Sequence, residues 1–142
     1  MDSLFDKLTP LLALAARALM SCIFIVSGWE KIAHYAGAGR FMDSIGVPAA
    51  LPPLVIAVEF GGSLALLLGL RTRLVAVLLA GFALLAATLV HFHPGDHENM
   101  IVFMDNLAMV GGLLMFVQHG GGAWSVDARL RGRRAAWSDR TA

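Results

Sequence analysis

Four long apolar stretches, separated by polar connections, dominate the pattern along this chain. An α-helix rises about 1.5 Å per residue and the hydrocarbon core of a bilayer is about 30 Å thick, so about 20 mostly apolar residues can span it. The pattern predicts four membrane-spanning helices, at residues 10–29, 51–70, 74–92 and 100–117. Because most connections are short, neighbouring helices should run antiparallel. We therefore predict an all-α fold, an integral membrane four-helix up-down bundle.

The connection between the first two predicted spans carries a pattern of its own. Phe41, Met42 and Ile45 stand at helical spacing within a segment rich in glycine and proline. This combination is typical of a short interfacial helix. The spans and this helix form one predicted transmembrane domain, residues 1–128. Residues 129–142 are predicted to be a basic cytoplasmic tail.

Composition supports the membrane assignment. Of the 142 residues, 58% are hydrophobic and only 15% are charged. An average soluble domain is about 45–50% apolar and about 25% charged. The lipid bilayer is therefore the first partner that the sequence predicts.

Basic residues are distributed unevenly between the two ends of the predicted bundle. Only Lys31 and Arg40 fall at one end, whereas the other end carries a larger set: Lys7, Arg71, Arg73, Arg129, Arg131, Arg133, Arg134 and Arg140. The positive-inside rule then places both termini in the cytoplasm of a bacterial inner membrane. The basic run directly follows a predicted span, which favours attraction to anionic lipid over nucleic-acid binding.

Polar side chains inside the predicted spans are the candidates for function. A carboxylate at the centre of a membrane helix disfavours insertion by roughly 2.5 to 3.5 kcal/mol, so Glu59 needs a partner or a role. Arg17, Asp105 and Asn106 are also too polar to face lipid without penalty, and we expect all four side chains to turn inward as a polar centre. Glu59 and Asp105 are the candidate catalytic residues, and Arg17, Glu59 and Asn106 the candidate cofactor-binding residues.

Two readings of this polar centre remain open. Burial and like charge both favour the protonated form of at least one of two neighbouring carboxyls. Such a group can exchange protons during quinol oxidation, with Glu59 as the proton acceptor and a quinone as the expected cofactor. In the structural reading, Arg17 pairs with Glu59 and Asn106 bridges helices by hydrogen bonding, with nothing bound.

The connection before the fourth span is rich in histidine. His91, His93 and His97 could supply imidazole ligands to zinc or copper. Short polar loops at a membrane surface often carry histidines without metal, so the sequence assigns no metal and keeps these three as weak candidates. A haem between His34 and His91 would need both rings inside the bundle at one level, which the pattern does not favour.

Sequence pieces along nearly the whole chain resemble one family. They are Arg17 followed by Phe24-Ile25-Val26-Ser27-Gly28 and Lys31, Gly46-Val47-Pro48, Glu59 with Gly61-Gly62, Leu68-Gly69-Leu70-Arg71-Thr72-Arg73, Asn106-Leu107-Ala108 with Gly111-Gly112-Leu113-Leu114, and Gly120 with Gly122-Ala123-Trp124-Ser125-Val126-Asp127. In this order the pieces resemble the DoxX family of small bacterial membrane proteins. The chain departs from the pattern at Asp105, where the resemblance leads us to expect lysine, which puts in doubt any activity that depends on pairing this position with Glu59.

The resemblance implies a four-helix inner-membrane protein, some of whose relatives are linked to quinone-coupled oxidation or to membrane oxidoreductase complexes. We therefore expect an accessory or quinone-interacting subunit of a membrane oxidoreductase system, with an oxidoreductase subunit as its protein partner. The alternative is a non-catalytic membrane anchor or assembly protein, or a small carrier for a lipid-like or acidic solute. Whether the chain is itself an enzyme is left open.

Overall fold

The computed structural model describes residues 2–48 and 50–141, with the side chains of 7–48, 50–135 and 137. Every regular element in these ranges is helical, which confirms the all-α prediction. The helices are α1 (Asp2–Ala33), α2 (Tyr35–Ser44), α3 (Pro52–Leu68), α4 (Thr72–His91), α5 (His97–His119) and α6 (Val126–Thr141).

Within the described residues, three helices are long and apolar enough to cross a membrane: α1 over Lys7–Ala33, α4 and α5. Helix α3 is apolar but shorter, about 25 Å long at about 1.5 Å per residue. The predicted start of the first helix at Pro10 is wrong, because α1 begins at Asp2 and contains Pro10. A proline inside a helix removes one backbone hydrogen bond and crowds the carbonyl four residues earlier, a cost that membrane helices tolerate.

The core lies where α3, α4 and α5 meet. Leu66, Leu79 and Leu113 are completely buried there. Ala76 and Ala83 are buried on α4 between them. Small side chains at these positions let helix backbones approach closely, which replaces the hydrophobic driving force that lipid does not supply.

A glycine sets the contact between α1 and α3. A Cβ added at Gly28 would lie 2.8 Å from Phe60 Cβ and 3.0 Å from its backbone nitrogen. Because part of the obstacle is backbone, no rotation of a side chain can relieve it. Gly28 therefore fixes how closely the two helices pack.

We predict that Gly28→Ala destabilises the protein by about 1 to 3 kcal/mol, the usual cost of overpacking a tight contact. The readout is the free energy of unfolding in a mild detergent. Gly111→Ala is the matched control, since a Cβ there meets nothing within 4 Å and the residue also lies in a long apolar helix. Equal effects of the two substitutions would contradict the close approach of α1 and α3.

The turn between α3 and α4 is tied to the start of α6. The Asp127 carboxylate accepts hydrogen bonds from the backbone N–H groups of Arg71 and Thr72, both at 2.8 Å, and from Thr72 Oγ1 at 2.9 Å. The Asp127 backbone N–H donates to Gly69 O at 3.0 Å. We call these four residues the Asp127 clamp. It caps α4 and holds the chain after α5 against the α3–α4 turn.

Helix α6 runs without interruption through residue 128. The clamp therefore joins the start of α6 to the helices, and the division into residues 1–128 and a basic tail 129–142 stays a prediction.

The clamp predicts a specific acid sensitivity. Burial raises the pKa of Asp127, but the hydrogen bonds from Thr72 and Arg71 and the nearby charge of Arg131 outweigh it, so the pKa lies below its ordinary value of 3.8. A lowered pKa contributes stability above the ordinary value, and this contribution is lost as the pH falls through the folded-state value.

We predict that Asp127→Asn unfolds at a lower temperature than the wild type at neutral pH, and that the difference shrinks as the pH falls below about 4. Thermal unfolding in detergent from neutral pH to pH 3 measures this. Asp43→Asn removes an exposed carboxylate from α2 and serves as the control. A difference between Asp127→Asn and the wild type that stays constant over this range would contradict the assignment.

Candidate functional site

A buried ion pair links α1 to α3. Glu59 is only 3% exposed, and its Oε2 lies 2.8 Å from Lys31 Nζ. Its other oxygen, Oε1, accepts a hydrogen bond from Ser27 Oγ at 3.0 Å. Lys31 Nζ also donates to Ser27 Oγ at 2.8 Å, which closes a triangle of contacts. We refer to these three residues as the Ser27–Lys31–Glu59 cluster.

Helix geometry explains why these three side chains lie close together. Ser27 and Lys31 are four residues apart on α1 and therefore lie on the same face, one turn from each other. Glu59 lies in a π-helical turn, Ala57–Gly61, within α3. Such turns are rare and occur often at functional sites, because the extra residue rotates the side chains that follow it.

The cluster lies at the wall of a cavity of about 540 Å³. This volume is within the range of roughly 300 to 1,000 Å³ that is typical of small-molecule sites. Most of the residues in the cavity wall are apolar. They come from each of the helices α1 to α5 and from the segment before α3, and include Phe24, Met42, Val55, Phe82 and Leu89. The cavity thus combines a largely apolar wall with a small number of polar groups.

Two further polar side chains line this cavity from α4 and α5. His91 ends a second π-helical turn, Ala87–His91, and its Nδ1 is buried without a hydrogen-bond partner among the residues that the structure describes. Asn106 is 9% exposed and donates from Nδ2 to Val102 O at 2.9 Å. A buried ring nitrogen without a partner is costly unless something bonds to it, so His91 is suited to meet a ligand.

Arg17 does not join the cluster, and the Arg17–Glu59 pair of the structural reading does not form. Its guanidinium is buried at the opposite end of the helices, where Nη1 donates to Leu67 O at 3.1 Å and Nη2 to Trp124 O at 2.6 Å. Arg17 precedes Ser27 by ten residues, which is about 15 Å along a helix. This separation is too large for one carboxylate to contact both.

Asp105 does not turn inward, contrary to the prediction of a four-residue polar centre. Its side chain is exposed, whereas Asn106 is buried. Consecutive residues on a helix point about 100° apart, and the rotation of α5 that turns Asn106 into the cavity leaves Asp105 on the outer face. The polar residues predicted as one centre therefore divide into a cavity end with Glu59 and Asn106, an opposite end with Arg17, and an outer face with Asp105.

The three candidate metal ligands are not brought together. His91 lines the cavity, while His93 and His97 are exposed. Among the described residues, no group of three or more His, Cys, Asp or Glu side chains has an arrangement that could hold a metal ion. His34 is exposed and its Nδ1 lies 3.3 Å from Glu30 O, so it does not enter the cavity with His91.

Ser27 and Lys31 were not among the predicted site residues, because both stand near the end of the first predicted span. A usable signal was present, because Phe24, Ser27 and Lys31 follow each other at helical spacing on one face. A lysine on the same helical face as buried residues is a natural partner for an intramembrane acid.

Residues 12–92 match the family model named DoxX. The chain belongs to the DoxX family. The match contains Ser27, Lys31, Glu59 and His91, so most of the polar groups of the cavity lie within the family domain.

Two relatives of this DoxX protein that match it over most of their length are named as inner membrane proteins. It is 46% identical over 124 residues to "Inner membrane protein YqjF" of Escherichia coli (strain K12), covering 87% of this chain and 95% of the relative. It is 34% identical over 132 residues to "Inner membrane protein YphA" of the same organism, covering 88% and 94%. It is also similar to "Putative oxidoreductase CatD" of Bacillus subtilis (strain 168), with 36% identity over 67 residues, 47% of this chain and 50% of the relative. No solved structure matches this DoxX protein at a significant level.

We predict that Lys31→Met destabilises this DoxX protein, because the buried Glu59 carboxylate loses its countercharge. Breaking a fully buried pair costs roughly 3 to 5 kcal/mol, and the 26% exposure of the Lys31 side chain reduces our expectation to about 2 kcal/mol. A second change, Glu59→Gln, should restore part of this loss by removing the unpaired charge. The measurement is a double-mutant cycle of unfolding free energies in detergent.

One result of this double-mutant cycle would contradict the ion pair. If the effects of Lys31→Met and Glu59→Gln simply add, the two side chains do not interact and the cluster is wrong. Arg40→Met, at an exposed position of α2, controls for loss of a positive charge near this end of the chain.

Proposed function

We propose that the chain is a four-span inner-membrane protein with both termini in the cytoplasm. The relatives named as inner membrane proteins support the location. The excess of basic residues around the Arg71–Arg73 turn and in α6 supports the orientation. In this arrangement α3 is the fourth span, α2 lies at the outer interface, and the four spans form an up-down bundle.

Within this arrangement, the protein is an accessory, quinone-interacting subunit of a membrane oxidoreductase system. The observation that carries the proposal is the apolar cavity with the Ser27–Lys31–Glu59 cluster, His91 and Asn106 in its wall. A quinone has an apolar ring with two polar oxygens, which matches an apolar wall that carries a few hydrogen-bonding groups. The similarity to "Putative oxidoreductase CatD", over about half of the chain, also supports the proposal.

The polar groups suggest a division of roles. Lys31 is a donor suited to a quinone carbonyl oxygen, and His91 offers a ring nitrogen, Nδ1, that has no hydrogen-bond partner within the described part of the chain. The Glu59 carboxylate is suited to accept a proton from a quinol hydroxyl. Oxidation of a quinol releases two protons and two electrons, so the electrons pass to a redox cofactor that a partner subunit supplies.

The proposal is tested by quinone binding to the purified protein in detergent. We expect saturable binding of decylubiquinone or of menadione by the wild type, measured by isothermal titration. Ala86→Trp should weaken this binding at least about tenfold, because Ala86 lines the cavity and an indole would fill it. Asp105→Asn should leave binding unchanged, since Asp105 is exposed on the outer face.

Two results would contradict the proposal. One is the absence of saturable binding of either quinone to the folded wild type. The other is equal affinity of Ala86→Trp and the wild type, with unfolding temperatures confirming that both are folded. Either result would favour the alternative, a non-catalytic anchor, assembly protein or carrier in which the buried ion pair serves helix packing alone.

A further inference from the structure

A second cavity, of about 620 Å³, lies at the other end of the helices beside the Asp127 clamp. It is lined by Arg71, Arg73 and Leu74 of the α3–α4 turn and α4, by His119 and Gly120 at the end of α5, and by Asp127 and Arg131 of α6. Along α4, the last residue that lines it, Leu74, precedes the first residue that lines the other cavity, Phe82, by eight residues, or about 12 Å. The proposed function does not use this cavity. We call it the basic pocket.

Three arginines line the basic pocket, together with one acidic residue, Asp127. Among the described residues, none of the three arginines forms an ion pair, and Arg73 donates only to a backbone oxygen, Gln118 O, at 3.2 Å. The Asp127 carboxylate is already engaged by three hydrogen bonds from Arg71 and Thr72. The pocket therefore has an excess of positive charge with donors left for an anion.

The backbone conformation at position 71 is unfavourable for an arginine. Arg71 has φ +45 and is the one described non-glycine residue with a positive φ. Glycine or asparagine would adopt this conformation with less strain, which costs of order 1 kcal/mol for other residues. The strained residue nevertheless carries a guanidinium, and that group lines the pocket.

The site is suited to a phosphate group, because guanidinium donors match phosphate oxygens in geometry and charge. An apolar surface adjoins it: Leu74 lines the pocket and is 52% exposed, and Leu70, in the turn just before Arg71, is 40% exposed. Since α4 begins at Thr72 and continues as an apolar span, these leucines lie where an acyl chain would leave a bound headgroup. A soluble phosphate ion has no apolar part that could contact these leucines.

We propose that the basic pocket binds the phosphodiester headgroup of an anionic membrane phospholipid, with Arg71, Arg73 and Arg131 contacting the phosphate. His119 lies at the rim and is oriented by its Nδ1, which contacts Met115 O at 3.1 Å. The bound lipid bridges the α3–α4 turn, the end of α5 and the start of α6. This inference does not depend on quinone binding at the first cavity.

The test compares two triple variants that lose the same charge. Arg71→Gln, Arg73→Gln and Arg131→Gln remove the pocket guanidiniums, while Arg129→Gln, Arg133→Gln and Arg134→Gln remove three exposed arginines of α6 that do not line the pocket. Native mass spectrometry in detergent measures binding of phosphatidylglycerol, with phosphatidylcholine as the neutral lipid. We expect saturable phosphatidylglycerol binding by the wild type, weakened at least about tenfold in the pocket triple and much less in the control triple.

Several outcomes would overturn the proposal. Equal loss in the two triples would mean diffuse attraction to the basic helix, and equal affinity for phosphatidylcholine would remove the role of charge. Displacement of phosphatidylglycerol by inorganic phosphate at equal concentration would identify the ligand as a soluble anion. If the pocket triple does not fold, Arg73→Gln alone provides the test, because Arg73 is exposed and lies outside the Asp127 clamp; unchanged phosphatidylglycerol affinity in that variant would likewise overturn the proposal.

Discussion

A carboxylate that is almost completely buried in an apolar chain cannot remain without a countercharge, and this constraint organises one end of the protein. Glu59 finds its countercharge in Lys31, at 2.8 Å, with Ser27 bonded to both. Their pairing requires α1 and α3 to approach closely, which Gly28 permits. The polar groups then stand at the wall of an apolar cavity instead of being distributed along the helices.

At the opposite end of the helices a buried charge is also compensated, but by backbone carbonyl groups. Arg17 is buried, and its charge is met by two backbone carbonyl oxygens, Leu67 O and Trp124 O. Gly69 has φ +69, and a Cβ there would collide with Arg17 Nη1 and Ser125 Cβ, so the turn can close only around a glycine. With the Asp127 clamp beside it, this end joins α1, the α3–α4 turn and the start of α6.

The sequence was sufficient for the class of fold and for the burial of several polar residues, because apolar length and the cost of a polar group in hydrocarbon are local properties. The rotation of each helix and its depth in the bundle depend on packing against other helices, and these two properties determine which polar side chains contact each other. Asp105 and Asn106 illustrate this: both were expected inside, but their side chains point about 100° apart and the rotation of α5 buries only Asn106. The π-helical turn at Glu59 shifts the register of α3 in a way that no residue pattern indicates. Lys31 was overlooked as a partner because charges at the end of a span usually face water.

The central claim is that Glu59 is an ionised carboxylate paired with Lys31. Solid-state NMR on the protein in lipid bilayers measures this directly, through the dipolar coupling between a ¹⁵N label at Lys31 Nζ and a ¹³C label at Glu59 Cδ. The account predicts a coupling that corresponds to a separation below about 4 Å, together with a carboxylate chemical shift at Glu59. The absence of this coupling, or a coupling between Glu59 and the Arg17 guanidinium instead, would contradict it.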